Sequence, residues 1–383
     1  MSIIRDFFVK EKPVFTGIAR GLGGFGFGSA GGGSAAPVPW TATGGAKMTS
    51  GDYVYHIWVD GFAGSDQNFV VTGDGSKTVN YSVVAGGGGG GSGNTGNGSN
   101  YLSGGGGGGG GLRTGSAAVS AGTYPVTMGT GGAGADNVPN GVNLIPTIPG
   151  YGAKGNNTVF GLSTPVVATG GGAGENRGLR DPATGGVPST PAPGFINGGS
   201  GGGSSNGPPT NGPPGNALAS PDGISPTDQG YNGGRDNPTG PVVGAIAGGG
   251  GGAGSEGGNG SPTSGGVGGN GAPTIFPGPF MYPLLPSPYQ SGLGNAWKDA
   301  LAGDGSLGGG GGAGEGTSNN PGAPGPGGGG AGGEAPGNPN GNGGNGVTGT
   351  GGGGGGGDSE GTSNNAHGGT GGPGCIMIRY PSA

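Results

Sequence analysis

Cysteine, charged residues and long apolar stretches are all scarce in this chain, and each scarcity excludes a class of protein. A single cysteine among 383 residues has no partner for an intrachain disulfide. Lys, Arg, Asp and Glu together make up 8% of the chain, against about 25% in ordinary soluble domains. Apolar residues, at 28%, are too few for the cores of a conventional globular protein of this length. No stretch reaches the roughly 18 consecutive apolar residues of a membrane-spanning helix.

The charge that is present restricts the partners. The formal net charge is −6 at pH 7, which argues against nucleic acid and against an anionic membrane. The low total charge also argues against an ordinary disordered chain, because charge keeps such chains extended. Charges in the first ten residues interrupt the apolar run that a secretory signal needs, so the sequence predicts synthesis in a cytoplasm without export.

Glycine dominates what remains, with 119 residues, and proline adds 34. The glycines follow no Gly-X-Y period, which excludes collagen. They are concentrated in runs, of which the longest are 86–91, 104–111, 248–252, 308–312 and 351–357. A flexible spacer is one interpretation of such runs. The other is a bundle of polyglycine-II helices, threefold and extended, which have no internal hydrogen bonds and can bond to neighbours on all sides.

Apolar, alternating stretches flank these runs and predict strands. The candidates are 53–59, 69–72, 79–85, 124–128 and 375–380. The last is too apolar to stand alone in water, and we expect it to pair with the strands of 53–85. The predicted fold is therefore mainly β with a polyglycine-II helix bundle, in which short strands frame long glycine-rich loops and α-helix is very scarce.

The predicted organisation has two parts. Residues 1–45 form an N-terminal segment and linker, and residues 46–383 form a glycine-rich domain. Within that domain the β frame comprises 46–128 and 375–380, and the polyglycine bundle and its loops occupy 86–374.

Catalytic chemistry has little support in the sequence. His56 and His367 are the only histidines, and no glycine run is followed by the Lys-Ser/Thr of a phosphate-binding loop. The carboxylates, among them Glu175, Glu315 and Asp358, show no fixed spacing. Cys375 lies in an apolar strand and is predicted to be a buried, inert thiol. We therefore expect no enzyme activity, no cofactor and no metal.

The order of the elements resembles a known family. Residues 80–85 run straight into the first glycine run, 122–129 read Gly-Thr-Tyr-Pro-Val-Thr-Met-Gly, and 374–380 read Gly-Cys-Ile-Met-Ile-Arg-Tyr. Over about residues 47–380 the chain is similar to the glycine-rich domain common in tail-fibre and other virion proteins of tailed bacteriophages. A related comparison is the polyglycine sandwich of tail-fibre tip adhesins, whose distal loops touch the host receptor.

The resemblance implies a virion structural protein, made in the host cytoplasm and released by lysis. It implies a tail-fibre or tail-tip subunit that takes part in host attachment. The implied partners are other tail or capsid proteins and a host surface glycan or outer-membrane protein, and the implied assembly is a homo-oligomer, by analogy a trimer. The residues predicted to anchor the chain to the virion are Phe7, Phe8, Phe15, Phe25 and Phe27.

Residues 275–301 concentrate aromatic side chains and are the candidate for receptor or partner contact. Flat aromatic faces suit sugar rings and protein partners. The residues concerned are Phe276, Phe280, Tyr282, Tyr289 and Trp297. The alternative for this stretch is a small satellite core or a contact between subunits.

Two other functions remain open at this point. One is a capsid, tail or baseplate component that binds no receptor. The other is a non-viral polyglycine protein that binds ice or another ligand, although the regular Gly-X-X period expected there is absent.

Overall fold

A computed structural model describes the chain in thirteen ranges. They are 36–60, 68–95, 101–136, 151–175, 196–205, 215–218, 229–237, 246–275, 278–301, 305–315, 320–334, 341–358 and 366–382. The five predicted anchoring phenylalanines (Phe7, Phe8, Phe15, Phe25 and Phe27) lie outside these ranges, as do Phe276 and the side chain of Phe280.

Twelve strands and two helical segments make up the regular structure of the described ranges. The strands are β1 Thr41–Thr43, β2 Ala46–Ser50, β3 Tyr53–Val59, β4 Asn68–Val84, β5 Asn94–Thr95, β6 Tyr101–Leu102, β7 Leu112–Thr127, β8 Thr158–Phe160, β9 Val166–Ala168, β10 Ala272–Pro273, β11 Ser306–Leu307 and β12 Cys375–Pro381. A 3-10 helix spans Pro279–Leu284 and helix α1 spans Ser287–Ala300. No helix in these ranges is long and apolar enough to cross a membrane.

The main sheet is antiparallel, in the order β2-β3-β12-β4-β7-β8-β9, with β1 paired to β4. Strand β12 lies between β3 and β4, so that Ile376 is opposite both Trp58 and Val83. The predicted return of the C-terminal strand to the first strands is therefore confirmed.

Two predicted strands, 69–72 and 79–85, belong to the single strand β4. The register of the β4–β7 pair shifts between Val71 and Ser76, where Gly73 and Gly75 have φ angles of 98° and 81°. This irregularity looks like a break in the sequence, but the chain continues in the same ladder beyond it. Strand β1 lies within the range that the sequence assigned to a linker, and its three residues pair with Val70–Thr72 of β4.

Each face of the sheet has its own core. On one face Trp58, Phe69 and Phe160 pack with ring centroids 6.0 and 6.3 Å apart, and residues of β1, β8 and β9 close over them. On the other face Ile57 and Met377 pack against the helical segments. The alternation of β3 and β12 side chains between the two cores is the period-2 pattern that the sequence shows.

The glycine runs form a bundle of laterally bonded polyglycine-II segments. In segment 86–91, Gly88 and Gly91 donate to the carbonyls of Gly108 and Gly105, at 2.8 and 2.9 Å. The N–H groups of the other residues in this segment point in two other directions. N–H groups that point in the same direction therefore recur every three residues along the segment. The segments that accept from it are 153–156, 369–372 and 105–108, and those that donate to it are 132–135, 171–174 and 354–357. Six neighbours at steps of three residues are the hexagonal packing of threefold helices, so the spacer interpretation is wrong.

Five segments are surrounded in this way by six neighbours of the same chain. They are 85–91, 104–111, 247–253, 307–314 and 351–358. A Cβ atom on Gly354, inside the array, would lie 2.0 Å from the carbonyl oxygen of Gly369. Side chains are therefore excluded from the interior, which is why the longest runs of glycine occupy these positions.

Asparagine side chains complete the bonding of outer segments. The Oδ1 atoms of Asn342 and Asn345 accept from the N–H groups of His367 and Thr370, at 2.8 and 2.9 Å. Asn259 accepts in the same way from Arg235, at 2.7 Å. Backbone N–H groups that lack a glycine neighbour thus find a side-chain acceptor on the next segment, which accounts for the asparagines scattered among the glycines.

Candidate functional site at the tip of the bundle

The strands of the main sheet continue directly into the glycine segments. β4 ends at Val84 where segment 85–91 begins, and segment 104–111 leads into β7. The β4–β7 ladder accordingly runs on as bonds from Ala85 to Gly111 and from Gly88 to Gly108. The bundle therefore has a sheet end and an opposite end, which we call the tip.

Acidic residues gather at the tip. Six segments that run from the sheet end to the tip finish in a carboxylate, and these residues are Asp136, Glu175, Asp236, Glu315, Glu334 and Asp358. In the sequence they appear scattered because they are up to 222 positions apart, counted from 136 to 358. The sequence does contain a local indication of this arrangement, because each of the six carboxylates follows the glycine-rich stretch of its own segment within one or two residues.

Four of these carboxylates are buried, with side chains 1–4% exposed; they are Glu175, Asp236, Glu315 and Asp358. Two of them accept hydrogen bonds from backbone N–H groups at the ends of other segments. Glu175 Oε2 accepts from the N–H of Ser205 at 3.0 Å, and Glu315 Oε2 accepts from the N–H of Asn320. These two carboxylates therefore cap backbone donors that glycine carbonyls do not reach.

Burial changes the acidity of this region. Burial raises the pKa of Glu175 to about 7, a net result in which desolvation is the largest cause, the bond from Ser205 acts against it and the nearby charge of Asp236 adds to it. Burial also raises the pKa of Tyr151, with a contribution from Glu175. A carboxyl group that titrates near neutral pH thus lies at the tip.

An exposed pair adds to the charge of the tip. Nδ1 of His367 lies 3.6 Å from Oδ1 of Asp136, with the two side chains 46% and 89% exposed. Protonation of the histidine makes this an ion pair, although such exposure keeps its contribution small. In the ranges that the structure describes, no group of three or more His, Cys, Asp or Glu side chains could hold a metal ion.

The tip is also where most connections between segments depart. The chain leaves it at residues 95, 136, 175 and 205 and returns at 101, 151, 196 and 215. One connection at the tip, the turn 261–264, is described and closes with two backbone hydrogen bonds between Ser261 and Ser264. Some turns at the sheet end are short, as at 253–255.

The predicted contact residues whose side chains the structure describes, Tyr282, Tyr289 and Trp297, lie at the sheet end and not at the tip. Tyr289 and Trp297 are 6% and 0% exposed and belong to the core under β3 and β12, so they offer no flat face to a partner. Tyr282 is half-buried, and its hydroxyl donates to the Gln290 carbonyl at 2.5 Å. The prediction of exposed aromatic faces is therefore wrong for Tyr289 and Trp297, and the satellite-core alternative describes them.

The reason for this error is helix α1, which sequence reasoning missed. Prolines before it and Gly294 inside it, with a φ of 67°, disguise the helix. Tyr289, Leu293 and Trp297 nevertheless recur every four residues and form one buried stripe. Nε1 of Trp297 donates to the Gly349 carbonyl at 3.2 Å and ties the helix to the bundle.

His56 and Cys375 are both buried in the sheet. His56 Nδ1 lies 2.6 Å from the Gly44 carbonyl and Nε2 lies 3.2 Å from the Tyr380 hydroxyl. Desolvation lowers the pKa of His56 to about 4, against the effect of the bond to Gly44. Burial raises the pKa of Cys375 to about 12, so its thiol stays protonated at neutral pH, as predicted for an inert thiol.

A comparison with known families agrees with this architecture. The model of a family described as a glycine-rich domain matches residues 64–381. The match begins just before β4 and ends at the last residue of β12, so it covers the bundle and most of the sheet. No curated protein matches the chain.

Proposed function

We propose that this chain, which belongs to the glycine-rich domain family, is a structural protein of a bacteriophage virion that presents its tip to the host. In this proposal it is a subunit of a tail fibre or tail tip, takes part in attachment, and carries out no enzymatic reaction. Its partners are other tail or capsid proteins on one side and a host surface glycan or outer-membrane protein on the other.

The observation that carries the proposal is the opposition of the two ends of the bundle. The described chain begins at the sheet end, where the N–H of Val38 donates to Asp74 Oδ2 at 2.7 Å, and it also finishes there in β12. Most connections between segments leave and rejoin the described bundle at the tip instead. A body whose first and last described residues lie on one side, with most connections departing from the other, is suited to attachment at a distance.

We also propose that the chain forms a homo-oligomer, by analogy a trimer, but its glycine content is not the reason. The sequence suggests that a single chain hardly offsets the conformational entropy of so many glycines. The structure shows one chain providing all six neighbours of five segments. The analogy with other fibre appendages therefore supports the trimer, and the energetics of the bundle do not require it.

Two insertions test which end meets the host. A biotin-acceptor peptide is inserted at the exposed Thr263 of the tip turn, and a matched one between Gly254 and Ser255 at the sheet end. Particles carrying each variant are coated with streptavidin, and their adsorption to host cells is measured. We expect coating at residue 263 to block adsorption and coating at 254–255 to leave it unchanged. Blocking from the sheet end alone contradicts the proposal.

A component without receptor binding is the second candidate, and the burial of Tyr289 and Trp297 favours it because it removes the predicted contact surface. In that case both variants bind streptavidin on the particle and adsorption is unchanged. Immunogold labelling of the same tags then shows whether the protein lies on the capsid, along the tail or at its end.

A further inference from the structure

A single carboxyl group closes the hydrogen-bond ladder between two segments at the tip. Segments 169–175 and 198–205 are joined by bonds from Gly172 to Ser200 and from Glu175 to Gly203, at 2.8 and 3.1 Å. The next rung is made by a side chain, because Glu175 Oε2 accepts from the N–H of Ser205. Glu175 therefore takes the place of a backbone carbonyl at the last rung.

Ser205 passes this connection on to two more segments. Its hydroxyl donates to the carbonyl of Ser103, and Oγ of Ser103 accepts from the N–H of Ala247 at 2.9 Å. Ser103 and Ala247 begin two of the fully surrounded segments. One carboxyl group and two hydroxyl groups thus hold together the ends of four segments.

The N–H of Ser205 favours the ionised form of Glu175, but burial and the nearby charge of Asp236 oppose it. Asp236, 4% exposed, lies on the other side of residues 204–205, with its N–H donating to Oγ of Ser204 at 2.9 Å. Tyr151 faces Glu175 from segment 151–157, and Lys154 lies one turn farther toward the sheet end on the same segment. The surroundings of Glu175 are therefore a second carboxylate, a phenol, hydroxyl groups and backbone.

We propose that Glu175 is a proton-controlled latch, which holds the ends of these segments together while its carboxyl group is protonated and loosens them when it releases its proton to solvent. The bond from Ser205 offsets only part of the desolvation of the ionised carboxylate, so ionisation favours a form in which the carboxylate reaches solvent and this bond is broken. The ends of segments 169–175 and 198–205 lose a common support when this happens. The latch does not depend on the proposed function, because it concerns the tip whatever the tip contacts.

The expected pH range follows from the acidity of the closed and open forms. Burial raises the pKa of Glu175 to about 7 in the closed form, against an ordinary value of 4.5 in water. The equilibrium constant for opening then rises about tenfold per pH unit between these two values and is constant above the higher one. The latch is tightest below pH 5 and loosest above pH 7.

Amide exchange of the protein labelled with 15N-serine tests the latch. The protection of the Ser205 N–H, corrected for the intrinsic exchange rate at each pH, is expected to fall about fortyfold between pH 5 and pH 7 and to level off about twofold lower above pH 7. The amide of Ser82, which is buried in β4 between β12 and β7, is the internal reference and is expected to keep its protection. An equal loss at Ser82 means that the whole protein loosens, and this overturns a local latch.

Two variants test whether the pH response at Ser205 comes from the carboxyl group of Glu175 or from other groups near it. Glu175→Gln keeps an oxygen acceptor for Ser205 but cannot ionise, so its Ser205 protection is expected to be independent of pH. Glu315→Gln is the matched control, since Glu315 caps Asn320 on a different segment and the variant is expected to keep the full pH response at Ser205. A pH response that persists in Glu175→Gln, or that is absent from the unmodified protein, overturns the proposal.

Discussion

A Cβ atom on Gly88 would lie 2.0 Å from the carbonyl oxygen of Gly172. The two glycines belong to neighbouring segments, and the gap between them is filled by backbone from both sides. This spacing is the physical basis of the bundle, because the segments approach closely enough to bond laterally only where side chains are missing.

Gly88→Ala is therefore expected to destabilise the fold strongly. Backbone on both sides must move to admit the methyl group, at a cost of about 3 kcal/mol or more in the free energy of unfolding. Urea denaturation followed by circular dichroism measures this change. Gly122→Ala is the matched control, since its nearest neighbour is 3.8 Å away, and a shift within about 0.5 kcal/mol is expected there. Equal stability of the two variants would contradict the packing described.

Asn345→Ala removes the acceptor for the N–H of Thr370. The freed donor lies at the surface and turns to water, so the loss of stability is expected to be modest, about 0.5–1.5 kcal/mol. Exchange of the Thr370 amide is the direct measurement and is expected to accelerate. Asn345→Asp keeps an oxygen at the same position and should preserve the protection of Thr370; exchange as fast as in the alanine variant would rule out the cap.

Trp297→Ala tests the assignment of the aromatic segment to the core. The fully buried ring packs under the sheet, so its removal is expected to cost about 3–5 kcal/mol in the free energy of unfolding. Leu284→Ala, a change at a side chain that is 45% exposed, is the control and should have little effect on thermal stability. A stable, folded Trp297→Ala protein would restore a surface role for this ring.

His56 and Glu175 are expected to give the stability of the protein opposite dependences on pH. The pKa of His56 is about 4 in the fold against 6.5 in water, so stability is complete above pH 6.5 and declines as the pH falls toward 4, by about 3 kcal/mol. Glu175, with its pKa raised from 4.5 to about 7, contributes the reverse: stability increases as the pH falls from 7 to 4.5.

Single variants measure separately how His56 and Glu175 make the free energy of unfolding depend on pH. His56→Gln leaves the Glu175 contribution, so its free energy of unfolding should increase on acidification from pH 7 to pH 5. Glu175→Gln leaves the His56 contribution and should show a decrease over the same range. Urea midpoints at pH 5, 6 and 7 provide the comparison. Parallel pH profiles for the two variants would contradict one of the assigned shifts.

The sequence predicts the frame of this fold well and the tip poorly. Alternation over 53–59 and 375–380 predicts strands, and the apolar character of the second predicts that it pairs within the sheet. The break predicted between residues 72 and 79 fails because Gly73 and Gly75 produce an irregular ladder where a loop was expected. Helix α1 was missed because Pro286 and Gly294 mask a four-residue stripe.

The carboxylates of the tip show a different limit. Glu175 and Asp358 are brought to one end only because both segments leave the sheet in the same direction, and the sequence does not state which segments are neighbours. Polyglycine segments lack side chains that would specify pairing. Their arrangement is fixed instead by the strands and turns that precede them, so it depends on the whole fold.

The continuity between strands and glycine segments has a mechanical consequence. β4 and β7 pass into segments 85–91 and 104–111 with the same transverse hydrogen bonds on either side of the junction. A pull along the bundle axis therefore acts across these bonds in shear, and many must yield together before any segment slides. A force that pulls on the tip along the axis is therefore resisted by all the hydrogen bonds of the ladder at once. A force perpendicular to the axis loads these bonds one after another, so the protein is expected to yield at a lower force in that direction.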